Sequence, residues 1–76
     1  MTQQSKTSAS NQNYDLVSVL YHALEGAQTY STYAQDAQQQ GDQELSQFFQ
    51  QIQQQEQSRA QQAQQMLAKR LSQSGS

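Results

Sequence analysis

The sequence predicts an all-α protein, an antiparallel two-helix hairpin that dimerises into a four-helix bundle. Three observations carry this. Proline is absent and glycine occurs only at Gly26, Gly41 and Gly75, a pattern suited to long helices and a poor fit to a turn-rich β protein. Two stretches repeat apolar residues at alternating spacings of four and three, the signature of a helix with one buried stripe. Between them stands a single Gly41-Asp42 pair, chemistry that ends one helix and starts another.

The first segment, residues 1–12, is Ser, Thr, Gln and Asn without apolar periodicity. It is predicted to be a disordered polar tail, because it has too little apolar surface to offset its ordering entropy. Asn13 or Asp15 offers a side-chain oxygen as N-cap. Helix 1 is then expected over about 14–40, with Leu16, Leu20, Ala23, Ala27, Tyr30, Ala34 and Ala37 as its stripe. Val17, Val19 and Leu24 widen that stripe. A turn at Gly41 leads to helix 2, expected over about 42–71, whose stripe runs Leu45, Phe49, Ile52, Glu56, Arg59, Ala63, Met66. Phe48, Ala60, Leu67 and Leu71 broaden it. Asp42 and Glu44 at its start and Lys69 and Arg70 at its end complement the helix macrodipole. Residues 72–76 are expected to fray.

Glutamine fills more than half of the stretch from Gln38 to Gln65. It has good helix propensity, since its straight side chain loses little rotamer freedom, and it takes positions where Glu, Lys or Arg is more usual. The run therefore reads as a helix with a neutral outer surface and not as a β-prone low-complexity tract. Each helix carries an apolar face wide enough for more than one neighbour. A lone hairpin leaves part of it wet, and two hairpins about a two-fold axis cover it. The dimer and core seam is assigned to Leu16, Leu20, Leu24, Tyr30, Leu45, Phe48, Phe49, Ile52, Met66 and Leu67.

Composition narrows the function classes. Seventy-six residues make one small domain, which buries only about 60% of its unfolded surface and is marginal alone. Without cysteine it has neither disulfides nor thiolate metal sites. Six acidic and four basic residues, net −2, form no basic stripe for nucleic acid. No apolar run approaches the roughly 18–20 residues of a membrane span. The opening MTQQSKTSASNQN lacks the apolar core of a signal peptide. The expectation is a soluble, cytoplasmic protein whose partner is a second copy of itself, with no nucleic-acid or membrane partner.

One histidine and no cysteine leave no Ser/His/Asp or Cys/His nucleophile arrangement, and no glycine-rich phosphate loop occurs; no catalytic residue is assigned. The residues that bear chemistry are Glu56 and Arg59. In this register both point inward, and three apart on one helix they can pair. An inward carboxylate needs a cation, either Arg59 or a metal. A Glu56–Arg59 ion pair at the bundle centre would set register or oligomer state more than add stability. The metal alternative takes Glu56 with Glu25 and His22. A hairpin turning at Gly41 puts residue 56 level with residues 26–27, so Glu25 and His22 have about the right height, yet both lie on the face opposite the stripe.

Leu24 to Ala60 resembles the helical hairpin of rubrerythrin-like and ferritin-like proteins. The shared features are the Tyr30, Ala34, Ala37 run, the Gly41 turn, the Leu45/Phe48/Phe49 cluster and Glu56-x-x-Arg59 at the position of a Glu-x-x-His motif. The likeness covers about half the chain and is strongest to the half-bundle encapsulated ferritins, in which each chain is one hairpin and a di-iron site forms across a dimer. It implies a ferritin-like bundle and a site of paired glutamates and histidines that handles iron or reduces peroxide. Carried over by residue, Glu56 matches a ligand, Arg59 stands where the histidine belongs, and the helix 1 glutamate falls on Ala23 or Gly26 with Glu25 beside them.

The resulting expectation is a non-catalytic structural or protein-interaction module with a degenerate metal site and no cofactor. The alternative is an iron-binding protein, or one for another divalent metal, with its carboxylate site formed across a homodimer.

Overall fold

The computed structural model describes residues 9–74. Two helices, α1 (Ala9–Gln39) and α2 (Gln43–Ser74), pack against each other as an antiparallel hairpin. Of the expected polar tail, residues 1–8 lie outside the described residues, as do 75–76 of the expected frayed end.

The helices reach further than their stripes. Residues 9–12, expected in the tail, belong to α1, and 72–74 extend α2. Asn13 and Asp15 are therefore interior helical residues and not N-caps. Once a helix is nucleated each further residue costs little, and the polar residues before Tyr14 do not stop it. A tertiary contact also holds this end, since an Arg70 guanidinium N–H donates to Gln12 Oε1 at 2.7 Å.

The turn is as tight as the sequence implies. Gly41 adopts φ +78°, a left-handed conformation that costs other residues a Cβ clash. Its N–H donates to the Gln38 carbonyl at 3.0 Å, and the Asp42 N–H donates to the Ala37 carbonyl at 2.9 Å. That pair of bonds is a Schellman motif. Asp42 then caps α2, its Oδ1 accepting from the Leu45 N–H at 3.1 Å. One residue thus satisfies the end of α1 and the start of α2.

The helices meet along small residues. Ala23, Ala27, Ala34, Ala37, Ala60 and Ala63 are the buried apolar residues, joined by Ser46. The stripe of α1 lies where expected, with its alanines buried and Leu16, Leu20 and Tyr30 half-buried. That of α2 requires correction. Its inner row is Ser46, Phe49, Gln53, Glu56, Ala60, Ala63, Leu67 and Arg70, all buried or half-buried. Relative to the expected stripe, Leu45, Arg59 and Met66 give way to the next residue along, and those three are exposed. Ile52 stays half-buried beside Gln53.

The reason is the alanine row of α1. Small side chains fill the middle of the seam, and the larger Phe49 and Leu67 reach it only half-buried. Ser46 fixes this register, its hydroxyl donating across the seam to the Ala34 carbonyl at 3.0 Å. Leu24, Phe48 and Met66, assigned to the seam from their spacing, are accordingly 55%, 52% and 52% exposed in the single chain.

Candidate functional site

With alanine in the seam, the large apolar side chains flank it on two broad faces. On α1, Val19, Gly26 and Tyr33 recur at intervals of seven along one flank; Tyr14, Val17, Tyr21 and Leu24 recur at three and four along the other. Grooves on the first flank are lined jointly by both helices, by Tyr33, Ala37, Leu45 and Phe49 near the turn and by Val19, Gly26, Glu56 and Arg59 further along. This defines a Tyr33 face and, opposite it, a Leu24 face.

The Tyr33 face carries a connected aromatic ladder. Ring centroids run Tyr30 to Tyr33 at 6.0 Å, Tyr33 to Phe49 at 5.4 Å and Phe49 to Phe48 at 5.8 Å. These tilted and edge-on distances are favourable for aromatic pairs. Leu45 and Met66 are exposed on the same side. The Leu24 face differs, for there α2 contributes Gln50, Gln57 and Gln64 at intervals of seven before Leu71.

Glu56 and Arg59 sit halfway along the Tyr33 face. Arg59 Nη1 donates to Glu56 Oε2 at 2.7 Å, with side chains 54% and 21% exposed. The expected pair is thus formed, and it lies at the edge of the seam, with Arg59 facing outward and Glu56 half-buried. The level predicted for Glu56 also holds, since a Cβ on Gly26 would stand 3.4 Å from Glu56 Cγ and 3.6 Å from the Tyr30 ring. These are ordinary contact distances, so Glu56 packs directly over α1 at this level.

His22 joins Glu56 on the rim of a groove of about 350 Å³, and Glu25 does not line it. The His22 ring is turned to its own helix, with Nδ1 2.8 Å from the Ser18 carbonyl oxygen and Tyr21 edge-on at 5.4 Å. The residues of one chain do not fit the iron site that the ferritin-like resemblance implies. The Glu56 carboxylate already holds a guanidinium, which stays protonated and cannot ligate a metal. Among the described residues no three His, Cys, Asp or Glu side chains stand together as a metal-ligand group.

Two features of this region went unread in the sequence. Ser46 is the buried polar contact between the helices, and Gln50 Nε2 donates to its hydroxyl at 3.3 Å. Gln53 and Ser46 stand seven and fourteen residues before the small Ala60, a row that marks Ser46, whereas no spacing marks Gln50. Among the described residues no helix is long and apolar enough to cross a membrane. No family model, curated protein or solved structure matches the chain.

Proposed function

We propose that this protein is a non-catalytic structural or protein-interaction module, a ferritin-like hairpin with a degenerate metal site that pairs through its Tyr33 face with a second copy to make a four-helix bundle. One observation carries the reading. The molecule measures 52 × 28 × 13 Å, a single layer of helices, and among its described residues no large side chain is fully buried. A stable domain needs at least two layers around its core. The apolar side chains for the second contact are in place on the Tyr33 face, where Tyr33, Leu45, Phe48 and Met66 are all exposed in the single chain.

The Glu56–Arg59 pair supports the non-catalytic half of the reading, because it occupies the position of a metal ligand with a closed ion pair. Sedimentation equilibrium tests the assembly. The expected mass is about twice the 8.6 kDa of the chain, with helical circular dichroism lost together with the dimer on dilution. A monomer that stays fully helical at the lowest measurable concentration would overturn it. Elemental analysis after purification with added iron tests the metal-free assignment. Iron held in proportion to dimer and lost on Glu56→Ala would replace this reading with a carboxylate site across the homodimer.

A further inference from the structure

We infer that the second copy docks antiparallel, turn end against open end, about a two-fold axis that crosses the Tyr33 face between Glu56 and Arg59. The inference rests on the self-association proposed above and specifies its geometry.

Three independent features of the face agree on it. The first is position. Glu56 and Arg59 straddle the middle of α2, so an axis between them overlays the two hairpins along nearly their whole length. Arg59 then stands level with the partner's Glu56. The guanidinium has five N–H donors, and the intrachain bond to Glu56 described above is made by Nη1 alone. Two such pairs facing each other close a neutral ring of two carboxylates and two guanidiniums. A complete ring of this kind fixes register, whereas a broken one leaves a charge unpaired in a closing interface.

The second feature is shape. The same axis sets Met66 level with the partner's Phe49, and Ile52 level with the partner's Ala63. Met66 is exposed while the Phe49 ring is already walled by Tyr33 and Phe48. A thioether against ring edges is a favourable contact.

The third feature is charge. At the turn end the described ionisable groups are Asp36, Asp42 and Glu44; at the open end they are Asp15, Lys69 and Arg70. Antiparallel docking brings Lys69 and Arg70 within two residues of the level of the partner's Glu44 and within four of the partner's Asp42. Parallel docking stacks three acids on three acids, a like-charge juxtaposition that suppresses pairing. Glu25 lies away from the Glu56 groove and enters neither arrangement.

The chain has no cysteine, so single cysteines report orientation cleanly. Phe49→Cys and Met66→Cys proteins, mixed and oxidised, should cross-link to each other and neither to itself. A nitroxide on Gln47→Cys, an exposed site that leaves the face intact, should show an interchain distance of about 30 Å at 1.5 Å rise per residue. Arg59→Glu and Glu56→Arg should each weaken the dimer by about tenfold or more, and an equal mixture should restore it, as complementary interface charges do. Self-cross-linking of Phe49→Cys, or a label distance under about 20 Å where the rise predicts 30, overturns the antiparallel geometry and leaves self-association standing. A chain that sediments as a monomer overturns both.

Discussion

The two broad faces of this hairpin are built on the same pair of helices and differ in what α2 brings to them. On the Tyr33 face both helices supply apolar side chains, and the aromatic rings touch in sequence from Tyr30 to Phe48. On the Leu24 face, Tyr14, Val17, Tyr21 and Leu24 stand on α1, across from a row of glutamines on α2 that reaches an apolar residue only at Leu71. A contiguous patch walled by two helices can be covered by a partner as a unit. A single row beside flexible amides has no floor, and its exposed leucine and tyrosines need no special explanation, since scattered apolar residues are ordinary on surfaces. What distinguishes an interface here is continuity of apolar surface across the helix pair, and not the number of hydrophobic residues.

The largest expected effect comes from striking the seam that both faces share. Ala60→Leu puts a branched side chain where the backbones are closest, and overpacking of this kind costs about 1–3 kcal/mol or more. Thermal melts followed by circular dichroism should show the hairpin weakened and both faces lost together. If the helix pair tolerates leucine without a shift in melting temperature, the seam is not as close as the buried alanines indicate.

Next come the faces themselves. Phe49→Ala removes the ring at the centre of the ladder and is expected to weaken dimerisation by about 2 kcal/mol, or about thirtyfold in Kd. Leu24→Ala on the opposite face should change it by no more than about 0.5 kcal/mol. Equal effects in analytical ultracentrifugation would erase the distinction between the faces.

Asp42→Ala tests the turn that holds the faces in register, and should cost about 1 kcal/mol through the lost cap. The smallest effect has the opposite sign. Gly26→Ala should stabilise α1 by roughly 0.5–1 kcal/mol through helix propensity, because the new Cβ meets Glu56 only at ordinary contact distance. A destabilised Gly26→Ala would mean that the space beside Glu56 is used by a closer neighbour, and would place that neighbour on the Tyr33 face.

The fold was largely legible in the sequence because its punctuation is local. Gly41 and Asp42 announce the turn, and the alternating alanines of α1 mark the buried row by spacing alone. The inner row of α2 was misread for an equally local reason. Leu45, Ile52 and Met66 read as core by their spacing, yet against the alanine row Ser46 and Leu67 turn inward, Gln53 joins Ile52 half-buried, and Leu45 and Met66 are left exposed. The cost of closing on large side chains depends on both helices at once, and no single-helix periodicity contains it. The same shift moved Arg59 from the interior to the rim while leaving Glu56 half-buried, so the pair itself was foreseeable and its depth was not. The start of α1 was missed because polar residues lacking a stripe can still propagate a helix that is nucleated further along.

The turn carries one more consequence. The residues on both sides of Gly41, glutamine before it and Asp42-Gln43-Glu44 after it, are all compatible with continuous helix. The positive φ of one glycine is thus what keeps α1 and α2 from fusing into a straight rod of about 100 Å at the usual rise per residue. Opened at that hinge, two rods laid side by side would exchange halves and rebuild the same helix-on-helix contacts between chains, the low-cost route to swapped dimers in proteins with short hinges. The compact hairpin and its swapped counterpart would differ only in the backbone of residues 40–42 between the two helices.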